Sequence, residues 1–320
     1  MIEYKDIVIA YNHLKGVVNK TPVMTSRTLN DLLHAEIYLK CENFQRIGAF
    51  KMRGAYNAIS LLTDDQKKKG IIAHSSGNHA QAVALSANLL GIKATIVMPE
   101  TSKQVKIKAT KNTYGANVVL CKNSLRARHE TTQKIIDEKD YTLIHPYDND
   151  NVIAGAGTVT YEFLQQIDGI DMIFSPVGGG GLLSGTLIAA KGFNPNIKVF
   201  AVEPKNVDDA YRSIKSGKIE YNKTINSIAD GLLTTLCERT FNIIQKNIEK
   251  IITVTEQEIL KAMRFIWERM KLVVEPSGAC SLAGVLTRKI SVEDKKVGVI
   301  ISGGNIDLAD FFKLIENKIT

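Results

Sequence analysis

The chain has few cysteines and no paired ones, which excludes two common classes of small-protein scaffold. Only four cysteines occur in 320 residues, and none forms a CxxC pair: Cys41, Cys121, Cys237 and Cys280. Zinc ligands and disulfide frameworks both need closer, repeated spacings. We therefore expect these residues to be reduced and to serve in packing.

Long apolar runs are also missing. No stretch has the length of a membrane span, and the N-terminal segment MIEYKDIVIAYNHLKG carries charges where a signal peptide needs an unbroken apolar core. We therefore expect a cytoplasmic protein without a membrane partner. The formal charge of +8 comes from scattered lysines, so no nucleic-acid surface is expected, although a positive field favours small anionic ligands.

Short runs rich in valine and isoleucine alternate with helix-length segments. The strand-like runs lie at 70–75, 93–99, 117–121, 141–145, 172–177, 198–203 and 297–302, with helical patterns at 78–90, 103–114 and 125–139 among them. This alternation predicts an α/β fold with mostly parallel sheets flanked by helices. Such folds bind ligands beyond the carboxyl ends of their strands.

The first strand-to-helix turn of interest reads HSSGNH. Ser75, Ser76, Gly77, Asn78 and His79 offer backbone N–H groups and polar side chains at the start of a helix. One such residue would suffice to cap the helix. The number of them favours an anionic ligand over capping alone.

A second turn contains four successive glycines, Gly178 to Gly181, between a strand and a helix. Backbone without side chains can surround a phosphate, and the helix N-terminus adds partial positive charge. No GK[ST] follows, which excludes a Walker loop. A dinucleotide-binding loop, with Glu203 as the ribose-binding acid, stays open as an alternative and would make the protein a nucleotide-dependent oxidoreductase.

Two further junctions between a strand-like run and a helix-like run contain candidate site residues. Ser302, at the end of the last strand-like run, precedes Gly303, Gly304 and Asn305, and it can bind a ligand or cap a helix starting near 307. Lys51 stands in GAFKMRG, between a strand-like and a helix-like run. A lysine there is ordinarily solvated, because burial of an ammonium is costly.

Taken together, the motifs resemble those of the fold-type-II pyridoxal-phosphate enzymes, in the group of threonine/serine dehydratases and serine racemases. The likeness rests on KCENFQRIGAFKMRGA, SSGNHAQAVALSA, ATIVMPE, AGAGT, PVGGGG, ERMKLVVEPSGA and SGGNIDL, which occur in this order over almost the whole chain. The family commonly has serine where Ala49 stands and glutamine where Ala156 stands.

The resemblance implies pyridoxal 5'-phosphate as cofactor and assigns residues to it. Lys51 would form the Schiff base, and Phe50 would pack on the pyridine ring. The remaining cofactor contacts that it implies are Asn78, Gly178, Gly179, Gly180, Gly181, Leu182, Glu275 and Ser302. Ser75, Ser76, Asn78 and His79 would bind the substrate carboxylate, with Arg128 as a further candidate.

The activity implied is deamination of L-threonine or L-serine to 2-oxobutanoate or pyruvate plus ammonia. Lys51 would remove the α-proton, and Ser76 on the opposite face could return one, which would add serine racemase activity. A primary serine racemase and a 3-hydroxyaspartate dehydratase stay open as alternatives. The remaining alternative is a protein that binds an anion without catalysing a reaction.

The segment VEPKNVDDAYRS places Glu203, Val207 and Asp209 where two carboxylates and a carbonyl could bind Mg²⁺, Ca²⁺ or Mn²⁺. An acidic loop without metal is the other interpretation, and the resemblance to metal-activated racemases favours the ion. The family also implies a homodimer and two lobes. The larger would comprise 1–65 and 150–320, and the smaller 66–149, as in the tryptophan synthase β-like fold.

Overall fold

The computed structural model describes residues 2–75, 77–102, 107–222 and 224–316, which form two sheets. The strands of the larger sheet are β1 (Val23–Thr25), β2 (Glu36–Cys41), β7 (Met172–Pro176), β8 (Lys198–Pro204), β9 (Lys250–Val254) and β10 (Lys296–Ile301). Those of the smaller sheet are β3 (Ile71–His74), β4 (Ala94–Pro99), β5 (Asn117–Cys121) and β6 (Thr142–Leu143). The strand orders are β1-β2-β10-β7-β8-β9 and β5-β4-β3-β6.

Helices cover both sheets. Their bounds are α1 (Tyr4–Leu14), α2 (Arg27–Leu33), α3 (Lys51–Ser60), α4 (Asp64–Lys69), α5 (Asn78–Leu89), α6 (Leu125–Lys139), α7 (Asp150–Gln166), α8 (Gly181–Phe193), α9 (Asp209–Ser216), α10 (Glu238–Asn247), α11 (Glu256–Phe265), α12 (Pro276–Leu286) and α13 (Leu308–Glu316). Strand β1 pairs antiparallel with β2, and the other described strand pairs are parallel. The α/β fold with mostly parallel sheets is therefore confirmed.

Two predicted elements differ from the structure. The strand predicted at 141–145 pairs only over Thr142–Leu143. The helix predicted at 103–114 falls partly outside the described residues, and its described part ends in a π-helical turn at Ala109–Thr113. No helix in the described ranges is long and apolar enough to cross a membrane.

Both faces of the larger sheet are buried, as parallel sheets require. Phe174 and Val202 lie in the apolar cluster on one face, and their neighbours Ile173 and Ala201 in that on the other. A third cluster joins the smaller sheet to helices α3 and α5. Lys51, the first residue of α3, therefore begins a helix that packs toward the smaller sheet.

Helix α7 packs closely between α3 and α8. A Cβ atom on Gly155 would lie 2.5 Å from the carbonyl oxygen of Arg53, and one on Gly185 would lie 2.5 Å from the backbone nitrogen of Gly157. Only glycine permits backbones to approach this closely. These contacts fix the positions of α3 and α8 relative to α7. Helix α3 begins with Lys51, and α8 begins in the glycine-rich turn.

A group of four buried charges ties α3 to the larger sheet, and we call it the buried charge network. Arg53 Nη2 lies 2.8 Å from Glu42 Oε1 and 2.9 Å from Glu162 Oε1, and Lys40 Nζ lies 2.5 Å from the same Glu162 oxygen. Thr21 donates its hydroxyl to Glu42 at 2.6 Å. Two cations and two anions balance, so each buried charge has a partner of opposite sign.

Candidate active site

Lys51 lies at the junction of the two sheets. Its Nζ donates a hydrogen bond to the carbonyl oxygen of Pro146 at 2.9 Å and lies 5.1 Å from the centre of the Phe50 ring. Burial lowers the pKa of Lys51 to about 8. An amine of this kind is partly neutral near pH 7 to 8 and can act as nucleophile and base.

The turn before Lys51 is attached to the end of β10. The Phe50 N–H donates to the carbonyl oxygen of Ser302 at 3.1 Å, and Ala49 and Gly303 form a β-bridge. Ile47 has a φ of 59°, which is costly for a β-branched residue. Asn305 donates to its carbonyl oxygen at 2.6 Å, which supports this conformation.

Three predicted residues meet beside this turn. Ser302 is buried, and its hydroxyl donates to the carbonyl oxygen of Ser277 at 3.4 Å. Asn78, the first residue of α5, donates its amide to Glu275 Oε1 at 2.7 Å and accepts one from Asn305 at 2.8 Å. The structure therefore brings together Asn78, Glu275 and Ser302, which lie far apart in the sequence.

The four-glycine turn is closely packed on several sides. Gly180 has a φ of 86°, a left-handed conformation that suits glycine. A Cβ atom on Gly179 would overlap the Tyr147 ring, and one on Gly178 would lie 2.9 Å from the Cα of Leu232. The glycines are therefore required by close approach, and the turn places backbone N–H groups at the start of α8, with Leu182 buried behind it.

A segment that sequence reasoning missed connects these parts. Ile144 accepts a hydrogen bond from His79 Nε2 at 2.8 Å, Pro146 accepts one from Lys51, and the Tyr147 ring covers Gly179. Burial raises the pKa of Tyr147 to about 12. The segment follows β6 and precedes α7, so it is another strand-to-helix turn, but it has no glycine or serine to mark it.

His79 is held in one tautomer. Because Nε2 faces a carbonyl oxygen, it carries the proton, and the buried Nδ1 is an acceptor without a hydrogen-bond partner in the described structure. Burial lowers the pKa of His79 to about 3, and the nearby Lys51 contributes to this. As placed, His79 has no free N–H for a carboxylate, so its predicted carboxylate contact stays without geometric support.

The other predicted substrate residues lie near the end of β3. The Ser75 hydroxyl accepts a hydrogen bond from the Gly77 N–H at 3.2 Å, which shapes the turn. Ser76 lies outside the described residues. Arg128 lies on α6, which packs against the same strand, and its Nε is buried with no hydrogen-bond partner among the described atoms.

The predicted metal residues surround the start of α9. Both carboxylate oxygens of Glu203 accept backbone N–H groups, from Ala210 at 2.9 Å and Tyr211 at 2.8 Å. Asp209 accepts a hydrogen bond from Asn222 with one oxygen, and its other oxygen is buried without a partner in the described structure. Val207 is fully buried.

Burial raises the pKa of Asp209 to about 6 and also raises that of Glu203, with the neighbouring Asp209 adding to the second shift. Two close buried carboxylates and an unpaired oxygen fit a cation. However, the described residues contain no group of three or more His, Cys, Asp or Glu side chains that could hold a metal ion. The metal site therefore stays a prediction.

Comparison with known proteins identifies the family of the chain. A family described as "Pyridoxal-phosphate dependent enzyme" matches residues 14–303. Serine racemase from Dictyostelium discoideum is 48% identical over 98% of both chains, and L-threo-3-hydroxyaspartate ammonia-lyase from Saccharomyces cerevisiae is 49% identical over 98% of this chain and 97% of that protein. The structure of threonine deaminase isoform 2 from Solanum lycopersicum has a TM-score of 0.92 and 32% identity, covering 98% of this chain and 92% of that one.

Proposed function

The chain belongs to the family of pyridoxal-phosphate-dependent enzymes, and we propose that it removes ammonia from L-serine, L-threonine or related 3-hydroxy amino acids. Serine would give pyruvate and ammonia, and threonine would give 2-oxobutanoate and ammonia. The water lost with the β-hydroxyl is regained in the hydrolysis that releases ammonia. The observation that carries this proposal is Lys51, whose half-buried side chain donates from Nζ to the carbonyl oxygen of Pro146 at 2.9 Å and whose pKa is lowered to about 8.

The residues present fit the cofactor. Bound pyridoxal phosphate supplies an electron sink for the electron pair left when Cα loses its proton. Lys51 Nζ would hold it covalently and then take the α-proton. The backbone N–H groups of Gly178–Gly181 and Leu182 would bind the phosphate at the start of α8, and Phe50 would pack on the ring.

Ser302 and Asn78 would orient the ring. We assign the Ser302 hydroxyl to the ring nitrogen and the Asn78 amide to the 3-oxygen, with Glu275 lining the pocket next to Asn78. A neutral hydroxyl favours a protonated ring nitrogen less than a carboxylate does, so the ring withdraws electrons less strongly. Early loss of the β-hydroxyl is thereby favoured, which supports elimination as the main reaction.

Reduction with borohydride tests the assignment of Lys51. Peptide mapping of reduced holoenzyme should find the pyridoxyl group on Lys51. A label on another lysine would overturn the assignment. The elimination itself is tested by measuring 2-oxo acid and ammonia from serine, threonine and 3-hydroxyaspartate.

Racemisation of serine is a second candidate activity, favoured by the 48% identity to a serine racemase. It needs a proton donor on the face of Cα opposite Lys51, and we propose Ser76 for that position. Ser76→Ala should abolish D-serine formation, while L-serine elimination falls less. Equal loss of both would leave Ser76 only as a residue that binds the substrate carboxylate.

A divalent cation at Glu203, Val207 and Asp209 is a further part of the proposal. One Asp209 oxygen has no hydrogen-bond partner among the described residues, and this supports the proposal because a buried carboxylate needs a compensating group. A chelator should lower the melting temperature and Mg²⁺ should restore it, since a ligand of the folded state stabilises that state. Asp209→Ala should remove the response.

We also propose a homodimer in the cytoplasm, on the basis of the family. The two lobes would comprise 1–65 with 150–320, and 66–149. The smaller sheet, formed by strands between 71 and 143, supports this division. Light scattering of the purified protein tests the dimer, since a monomer at micromolar concentration would contradict it.

A further inference from the structure

Helix α10 lies against the glycine-rich turn, although its sequence gave no reason to connect it with a ligand. A Cβ atom on Gly180 would lie 2.8 Å from the Cβ of Thr240, in the first turn of α10. A Cβ atom on Gly179 would overlap the ring of Tyr147. The glycine-rich turn therefore packs against both α10 and the segment that contains Tyr147.

Thr240 is fully buried, and its hydroxyl group connects α10 to the turn. The hydroxyl oxygen accepts the N–H of Cys237, the residue before the helix, at 3.1 Å, and it lies 2.9 Å from the carbonyl oxygen of Gly179. The carbonyl oxygen of Cys237 lies further from it, at 3.2 Å. Because a hydroxyl has one proton to donate, the shorter contact makes Gly179 the main acceptor.

This hydrogen bond fixes the direction of a backbone N–H group. The carbonyl group of Gly179 and the N–H of Gly180 belong to one planar trans peptide unit, so they point in opposite directions. With the carbonyl oxygen held toward Thr240, the Gly180 N–H points away from α10. Within the described residues this N–H donates to no other group of the chain, so a ligand can accept it.

The turn needs such a support because of its own composition. Rotation of the peptide unit between Gly179 and Gly180 changes ψ of the first residue and φ of the second, and glycine populates both signs of φ at little cost. A rotated peptide unit would present a carbonyl oxygen where the N–H had been, and this oxygen would repel an anion. Successive glycines therefore allow the backbone to surround a phosphate but do not by themselves fix the direction of its N–H groups.

The residue before Thr240 ties α10 to the segment on which Tyr147 lies. Arg239 binds Asp148 through Nε at 2.8 Å and Asp150 through Nη1 at 2.6 Å. These side chains are exposed, and exposed ion pairs contribute little free energy. Their effect here is geometric, because they keep α10 beside the segment that packs against the other glycine of the turn.

We propose that Thr240 is a positioning residue for the phosphate of the cofactor. Its hydroxyl holds the Gly179 carbonyl oxygen toward α10 and thereby directs the Gly180 N–H toward the phosphate. This rests on the proposed cofactor site at the glycine-rich turn and adds to it a residue that does not touch the cofactor. Thr240 also belongs to the capping box of α10, so its positioning role has to be separated from helix capping.

Cofactor binding to the full-length apoenzyme separates the two roles. Pyridoxal phosphate and pyridoxal share the ring and the aldehyde, so the ratio of their affinities reports on the phosphate site. Thr240→Val keeps the shape of the side chain but removes the hydroxyl, and it should reduce the preference for pyridoxal phosphate at least about fivefold, the effect of one hydrogen bond. Thr240→Ser keeps the hydroxyl and should retain the wild-type preference. Absorbance titration measures both ligands.

Two further variants serve as controls. Thr255→Val removes the same group from the capping box at the start of α11, and it should lower stability without changing the ratio of the two affinities. Thr240→Cys decides the question if Thr240→Val does not fold. It differs from Thr240→Ser only in having sulfur in place of oxygen, a weaker donor, so it should show the loss of preference that Thr240→Ser does not.

The outcomes that overturn the inference are distinct from those that overturn the proposed function. An unchanged ratio in Thr240→Val, an equal loss of affinity for both ligands, or the same fall in Thr255→Val would leave Thr240 as a helix cap only. A wild-type protein that binds pyridoxal as tightly as pyridoxal phosphate would overturn the phosphate site and this inference with it. Absence of elimination from all hydroxy amino acids would overturn the proposed function alone, because the binding test needs no turnover.

Discussion

The two sheets contribute opposite kinds of chemistry to the site. The larger sheet contributes backbone N–H groups of the glycine turn and the buried Ser302 and Glu275. The smaller sheet contributes His74 and the α6 residues Arg128 and His129, which are at least partly exposed. The larger-sheet side therefore suits the cofactor, which is the same for every substrate. The smaller-sheet side suits the part of the substrate that differs from one substrate to the next.

The two sides of the site also differ in how their charged side chains are paired. The buried charge network connects α3 to β2 and α7 through ion pairs of 2.5 to 2.9 Å between side chains that are at most 3% exposed. No such ion pair supports His74, Arg128 and His129 within the described residues, where Glu130 pairs with Arg126 and Asp148 pairs with Arg239. Changes on the larger-sheet side should therefore affect folding and cofactor binding, and changes on the smaller-sheet side should affect substrate choice and pH response.

The largest effect is expected where the two sides meet. Lys51→Ala should reduce elimination by at least ~10³-fold, because it removes both the covalent bond to the cofactor and the base for the α-proton. Steady-state formation of 2-oxo acid measures it. Lys68→Ala, at an exposed position on α4, is the control and should retain wild-type turnover. Turnover within tenfold of wild type in Lys51→Ala would contradict the assignment.

Breaking the buried charge network should cost stability. Arg53→Met leaves two buried carboxylates with Lys40 as their only charged partner in the network, and loss of one member of a buried pair costs about 3–5 kcal/mol. Urea unfolding measures the change. Arg126→Met removes an exposed pair and should change stability by about 0.5 kcal/mol or less. Similar losses in the two variants would show that the network does not support the larger-sheet side.

The contact between the two sides can be tested at the glycine turn. Gly179→Ala would place a Cβ against the Tyr147 ring at less than van der Waals distance. Overpacking of this kind costs about 1–3 kcal/mol, so we expect cofactor affinity to fall about fivefold or more. Absorbance titration of the apoenzyme measures it. Adding Tyr147→Ala should restore affinity, and failure to do so would mean that the glycine is needed for another reason.

The effect that is smallest at neutral pH, and grows only on acidification, concerns the pH response of the smaller-sheet side. His79 has a pKa of about 3 in the folded protein against an ordinary 6.5, so below pH 6.5 the unfolded chain binds a proton that the folded chain does not. Stability is therefore lost as the pH falls from 6.5 toward 3, by up to about 1.4 kcal/mol per pH unit from this group.

His79→Gln should flatten that pH dependence, as measured by urea unfolding of the holoenzyme at pH 6, 5 and 4. The exposed His13→Gln is the control and should keep the wild-type slope. If His79→Gln also keeps that slope, the buried ring does not cause it.

The sequence predicted the elements of the site whose signal is local. Gly178–Gly181, Ser302 and Asn78 stand at strand-to-helix turns, and the alternation of strand and helix patterns places such turns at one edge of each sheet. The helix at 125–139 was predicted with the bounds that the structure shows. These features depend on periodicity and turn chemistry, which a single sequence records.

Features that depend on distant partners could not be predicted in this way. Lys40 and Arg53 would be read as surface residues, because their partner Glu162 lies 122 and 109 residues further along the chain. Tyr147 has no local sign of its role, since its contact with Gly179 exists only in the folded protein. Ile47 has a left-handed backbone conformation, which β-branched residues disfavour, and the hydrogen bond that Asn305 donates to its carbonyl oxygen supports this conformation.

The buried charge network also has a consequence for the order of assembly during synthesis. Until α7 has left the ribosome, the chain has Lys40 and Arg53 but only Glu42 to neutralise them, which leaves one unpaired positive charge to be buried. The strands of the smaller sheet, β3 to β6, are all complete by residue 143. We therefore expect the smaller sheet to form first during translation, while the N-terminal segment waits for Glu162.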